Sequence, residues 1–236
     1  MAAASVKNEK TTKEELTIVE RLNDFIQKNR INLLVGLIAI LVILAGVVIF
    51  MTVGDKMKAA SFSKISAFDR RYEELRPFIG SDEAEAVSKQ ADVTALLDEL
   101  NAFARKNSGF VAARAYYTSA NIFWDEKNWP EAEIAWNSCA EAAGKSYLAP
   151  IALFNAASAA EEQGNIDTAI AFLNRAMDYG NEFPAAAKAQ FSIGRLEESR
   201  NNRSAAIEAY NTLLGKWPGD QIWANLAQSR LIFLSN

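Results

Sequence analysis

Residues 164–176 read GNIDTAIAFLNRA, and the opening of that stretch has counterparts 37 residues away on either side: KNWPEA at 127–132 and NNRSAA at 201–206. The register extends beyond the turn. Asn128, Asn165 and Asn202 correspond, as do Ala132, Ala169 and Ala206. Four residues after each of these alanines stands a large side chain (Trp136, Leu173, Tyr210), and three further on come Cys139, Ala176 and Leu213. Twelve residues before each alanine is a small residue, Ala120, Ala157 or Gly194. A chain with such a period is a stack of small units, each unable to bury its apolar face alone.

The offsets predict what each unit is. A first helix ends in a turn at Asn or Gly-Asn, and a second helix begins near Pro130, Asp167 or Ser204, residue types suited to a first turn or an N-cap. Small residues on the two helices let their backbones approach, and the large residue fills the gap to the next pair. Pro150, Pro184 and Pro218 punctuate the ends.

Helix pairs with small, small, large and small residues at these offsets, closed by proline, resemble the tetratricopeptide repeat, whose usual period is about 34 residues. The extra length here is assigned to the loops around Gly144–Tyr147 and Tyr179–Phe183. The third unit matches best, with Gly194, Ala206, Tyr210 and Pro218 in place; the first has Cys139 where alanine is common. The expected fold is all-α: three tetratricopeptide-like repeats over 113–218 in an α-solenoid, with a capping helix in 219–236. Upstream, 55–108 reads as a long helix (Lys56 to Phe78) and the second helix of a degenerate first repeat (Asp92 to Asn107). Leu96, Leu100 and Phe103 form its apolar face, and Ala95 lies one period before Ala132.

Outside the repeats, the run from Ile31 to Gly54 (INLLVGLIAILVILAGVVIFMTVG) carries no charge. A helix needs about 20 apolar residues to cross a hydrocarbon core of about 30 Å, so the run is expected to be a single transmembrane helix after a short polar tail, 1–30. It is longer than a signal-peptide core, and Asp55, Lys56, Met57 and Lys58 follow it with no small-x-small cleavage pattern. Flanking charge is nearly balanced. Lys7, Lys10, Lys13, Arg21, Lys28 and Arg30 precede the run, and Lys56, Lys58, Lys64, Arg70 and Arg71 follow it, a slight bias toward a cytoplasmic N-terminus.

Composition excludes several functions. The chain has no histidine, which removes the commonest general base and metal ligand, and no zinc spacing, phosphate loop or nucleophile elbow is present. From Asp55 onward 19 Lys plus Arg face 24 Asp plus Glu without a basic cluster, so no nucleic-acid partner is expected. Cys139, the single cysteine, reads as a small core residue. Glu73-Glu74, Asp98-Glu99, Glu161-Glu162 and Glu197-Glu198 read as solvated faces, since neighbours on a helix point about 100° apart. No enzyme activity, cofactor, metal or small-molecule substrate is expected.

What remains is protein binding on the concave, first-helix face. Tyr117, Phe154 and Phe191 recur fifteen residues before each repeat alanine, either as a ladder of rings in a groove or as packing between units. Some tetratricopeptide domains hold a partner's C-terminal carboxylate with a Lys, Asn, Asn, Lys, Arg clamp. The resemblance places those roles at Tyr117, Asn121, Asn155, Lys188 and Ser192, lacking two of the three cations, with Arg195 as a substitute anion contact. The expected groove is therefore Tyr117, Asn121, Phe154, Asn155, Lys188, Phe191 and Arg195.

The organisation as a whole, a short tail, one span and a repeat domain, resembles the ancillary SecYEG translocon subunit family of bacteria. That resemblance implies an inner-membrane protein with its N-terminus in the cytoplasm and its repeats in the periplasm. Its expected contacts are the translocon, periplasmic chaperones and emerging client segments. The other reading of the same residues is a cytoplasm-facing adaptor in an envelope, division or motility complex.

Overall fold

The computed structural model of the chain describes residues 2–81, 84–180 and 183–235, with side chains outside 2–16, 49–50, 53–58 and 84. Every regular element among the described residues is helical: α1 (Ala2–Leu75), a 3-10 turn (Arg76–Phe78), α2 (Ala84–Lys106), α3 (Gly109–Asp125), α4 (Trp129–Ala143), α5 (Leu148–Glu162), α6 (Ile166–Met177), α7 (Ala186–Ser199), α8 (Arg203–Lys216) and α9 (Gln221–Ser235). The chain divides into two units, Met1–Ala60 and Ser61–Asn236.

The first unit consists of the N-terminal part of α1. It contains a stretch, Thr17–Val48, long and apolar enough to cross a membrane, and none of it is buried. A core helix of a soluble protein would bury such residues; here Val42 and Ile43 are each 65% exposed. Of the run read as a span, Ile49, Phe50, Val53 and Gly54 lie outside the residues whose side chains are described.

The second unit is a solenoid of tetratricopeptide-like helix pairs, α3 with α4, α5 with α6 and α7 with α8, each packed on the next. The three turns within the pairs are built alike. Asn128, Asn165 and Asn202 sit at φ −85°, −84° and −87° with ψ near 70°. Their N–H groups donate to the carbonyls of Phe123, Ala160 and Glu197 at 2.8, 2.9 and 2.9 Å, which closes the first helix. The residue before each Asn has a positive φ, +58° at Lys127, +76° at Gly164 and +61° at Asn201, so one glycine and two non-glycines occupy the same left-handed position. Only Asn202 caps with its side chain, accepting from the Ala205 N–H.

The second helices are held by an apolar stripe at helical spacing, as in Ile166, Ala169, Ile170, Leu173, Ala176 and Met177 of α6. Ala132, Ala169 and Ala206 are wholly buried, and Trp136, Leu173 and Tyr210 are at most 4% exposed. Burial of each large side chain contributes roughly 1.5–3 kcal/mol, which short helices need in order to hold their shape.

The N-terminal end of the solenoid departs from this register. Ile65, Phe68 and Tyr72 of α1 pack against Val93, Leu96, Leu100 and Phe103 of α2, with the rings of Phe68 and Phe103 edge-on at 5.6 Å. Ala95, read above as the counterpart of Ala132, is exposed, and Leu96 takes the core position. Large side chains fill this interface, so the small-residue approach that Ala95 would serve does not occur there. At the other end α9 buries Ala227 and Leu234 against Tyr210 and Leu213. Its far side leaves Ile222, Leu226, Ile232 and Phe233 exposed.

Candidate protein-binding groove

Alternate helices, α1 (from Ser61), α3, α5, α7 and α9, share one face of the second unit, and two clefts open on it. The first, about 340 Å³, lies between α1, α3 and the start of α5. Tyr117 and Asn121 line it, with Asp69, Glu73, Tyr147 and Ile151. Its polar wall is fixed: Asp69 pairs with Arg114 and accepts from Thr118 Oγ1 at 2.9 Å. Tyr72 donates to Asp125 at 2.8 Å, and burial together with that bond raises its phenol above the ordinary value. Asn155 on α5 donates its Nδ2 to the Tyr117 hydroxyl at 3.2 Å, tying the two first helices together.

The second cleft, about 260 Å³, lies between α5, α7 and α9. Phe154, Lys188, Phe191 and Arg195 all line it, with Glu161, Ser192 and Trp223. Lys188 holds its ammonium 4.9 Å from the centre of the Phe154 ring and makes no ion pair among the described residues. Arg195 is engaged differently. Its guanidinium grips both carboxylate oxygens of Glu161, one of them at 2.6 Å, and that pairing raises its pKa. Lys188 is thus the cation this cleft offers an incoming acid.

Tyr117, Phe154 and Phe191 are each half-buried, and no ring contact among the described residues links them to one another. Phe154 meets Phe183 at 6.1 Å, and Phe191 sits between Tyr210 and Trp223 at 5.3 and 5.4 Å. Each ring therefore packs against a neighbouring helix or loop while one edge still lines a cleft.

Trp223 and Asp69 belong to this face and were not in the expected groove. The repeat register gives no sign of Trp223, because one period after Phe191 falls on Gln228.

Of the paired carboxylates, Glu73, Glu74, Asp98 and Glu162 are exposed as the sequence reading has them, and others are engaged by arginines. Glu197 is 6% exposed and receives Arg200 in a bidentate pair, while Arg200 also reaches Asp167 of the preceding pair. Glu198 binds Arg230 and accepts from the Tyr210 hydroxyl at 2.6 Å. Glu161 holds Arg195, and Glu99 holds Arg71 at 2.9 Å. Arg71, Arg195 and Arg230 reach their acids from other helices, and Arg200, at the end of Glu197's own helix, extends to Asp167 on α6, so these groups cross-link helices. Cys139 is fully buried, and burial pushes its thiol up to about 12, in keeping with a small core residue.

Comparison with known sequences agrees with this architecture. The tetratricopeptide repeat family model matches residues 138–180 and 178–221. A TPR repeat-containing protein of Treponema pallidum is 30% identical over 230 residues, covering 92% of this chain and 94% of that one. Among solved structures, the crystal structure of YrrB, a TPR protein with an unusual peptide-binding site, has a TM-score of 0.41 at 17% identity, over 70% of this chain and 83% of that chain. With a relative matched along almost its whole length and the repeat itself recognised in two segments, the chain belongs to the tetratricopeptide repeat family.

Proposed function

We propose that this tetratricopeptide scaffold for protein–protein interactions is held to a membrane by the run 31–54 and takes a partner segment along its two clefts. The observation that carries the binding reading is the cleft of Phe154, Phe191 and Trp223 beside Lys188: three rings for an apolar anchor and one cation without a carboxylate. Such a site selects a segment with a large apolar side chain and a neighbouring acid. Tyr117, Asn121 and Asn155 would contact the same segment further along the face, through backbone or side-chain amides.

The placement we favour is the bacterial inner membrane, with the repeats in the periplasm beside the translocon. It is supported by the order of a short polar tail, one apolar run and a C-terminal repeat unit. The client would then be a secreted chain or a chaperone. A cytoplasm-facing adaptor is the second reading, favoured by one observation: Lys56 and Lys58 stand as near the run as Lys28 and Arg30 do.

Protease accessibility separates them. Digestion of the repeat unit in spheroplasts only supports the periplasmic reading, to be followed by in-cell crosslinking to translocon components. Digestion in inside-out vesicles only overturns it. Release of the protein by alkaline carbonate would overturn the anchor itself. For the groove, Lys188→Glu changes an exposed residue and should weaken capture of an acidic partner about tenfold or more. Partner binding unchanged in both Lys188→Glu and Phe191→Ala, with the helical fold intact, would overturn the groove.

A further inference from the structure

The two ends of the helix pairs differ in charge chemistry. At the end that carries the turns within pairs, Arg195, Arg200 and Arg230 are each matched by a carboxylate, and Lys127 and Arg203 are exposed without an ion pair among the described residues. At the opposite end, where one pair passes to the next, Arg105, Lys106, Lys145 and Lys216 are exposed and make no ion pair among the described residues. Glu141, Asp178 and Asp220 share that end; Glu141 accepts from Asn137 and Asp220 from the Trp223 N–H.

The same end carries a strip of rings. Phe62 is 48% exposed and Tyr147 53% exposed, and Phe110 lies between them at 6.4 and 6.0 Å. The strip is built into the fold: Ser61 Oγ donates to Asn107 at 3.2 Å, and Tyr179 donates to the Gly144 carbonyl at 2.9 Å, joining successive junctions. Phe62 and Phe110 lie outside both clefts, and Tyr147 also borders the first. Exposed rings among long, unpaired cations are the composition of a surface that meets lipid headgroups. Chain length allows the meeting. Phe62 follows Gly54 by eight residues, so it cannot lie further than roughly 28 Å along the chain from the end of the apolar run.

We infer that this rim, Phe62, Phe110 and Tyr147 with Arg105, Lys106 and Lys145, rests on an anionic lipid surface. The inference builds on the anchored reading but makes a separate claim: the repeat unit lies on the bilayer by the rim end, with the turns within pairs directed away. Anionic lipid attracts the unpaired cations of the rim.

The test uses the full chain, with Cys139→Ala removing the native thiol, reconstituted in vesicles of phosphatidylcholine alone or mixed with phosphatidylglycerol. An environment-sensitive fluorophore is placed at Tyr147→Cys, with Lys145→Cys as a second rim position and Lys127→Cys marking the opposite end. Acyl-chain-brominated lipid should quench the label at both rim positions and not at Lys127, more strongly with phosphatidylglycerol. Changing Arg105, Lys106 and Lys145 to Gln (with the label at Tyr147→Cys) should abolish the quenching, since losing three cations lowers attraction to an anionic surface roughly 100-fold. Equal absence of quenching at both ends in protein that resists carbonate overturns the rim and leaves it to a protein contact. Protein that carbonate removes has lost the anchor alone. The rim is then decided by vesicles added from outside: rim quenching dependent on phosphatidylglycerol supports it, and none overturns it.

Discussion

Gly194 lies directly against Tyr210: a Cβ built on the glycine would stand 2.5 Å from Tyr210 Cε1. The tyrosine ring occupies the space that a side chain on α7 would need. The preceding pair shows the other solution, with Ala157 and Leu173 at the same two positions. Gly194→Ala should therefore destabilise the chain despite a helix-propensity gain of about 1 kcal/mol, because overpacking costs about 1–3 kcal/mol. The double change Gly194→Ala with Tyr210→Leu, which copies the preceding pair, should recover part of the loss beyond the sum of the single effects. A urea-denaturation cycle measures it, and strict additivity would contradict the wedge.

Glu198 gives a pH signature. Its pairing with Arg230, aided by the Tyr210 hydrogen bond, holds its carboxyl below the ordinary 4.5. A folded-state pKa below the unfolded one stabilises the chain above that range, and the gain disappears as pH falls through the folded value. Acid titration of stability should show a steeper loss below about pH 4.5 in the native chain than in Glu198→Gln. Parallel curves would mean that the pair is not coupled to folding.

Lys127 holds φ +58° where the next pair has Gly164. Lys127→Gly should raise stability by about 0.5–1 kcal/mol, since relief of the left-handed cost exceeds the added freedom of the unfolded chain. Asn201→Gly should gain less, because asparagine tolerates this region. Urea midpoints at unchanged slope provide the measurement.

Cys139 should resist thiol reagents. With full burial and a thiol pushed to about 12, modification at pH 8 should proceed only as fast as the chain opens, and denaturant should release it. Rapid labelling of the folded chain would be the contrary result.

Ser119 and Trp136 bury Oγ and Nε1 without a hydrogen-bond partner among the described residues. Removing such a hydroxyl should help: Ser119→Ala is expected to stabilise by about 1 kcal/mol in thermal or urea unfolding, where a typical buried serine would lose stability.

Much of this fold can be read from spacing. Identical offsets of Asn, Ala and a large residue in three units specify identical turns and packing, because short helices can stack repeatedly only if the same residues approach each time. The register failed where it was extended to Ala95, since the N-terminal pair packs large side chains and shares none of that geometry. Cross-links between helices were also hidden. Glu161 and Glu198 are one period apart, but their partners Arg195 and Arg230 are not, so no repeat comparison reveals either pair. Of the candidate groove, the positions on α3, α5 and α7 follow from the repeat register, and those on α1 and α9 do not, because Asp69 and Trp223 come from helices outside the repeat.

The two clefts are centred on α3 and α7, two first helices apart, or roughly 20 Å at the usual interhelical spacing of about 10 Å. An extended segment must run about six residues to touch both. On the proposed function, occupancy of one cleft would present the other with its portion of the same chain at a high effective concentration, so two weak contacts would yield avidity. A partner would thus be chosen by the distance between its two anchor points as much as by their chemistry.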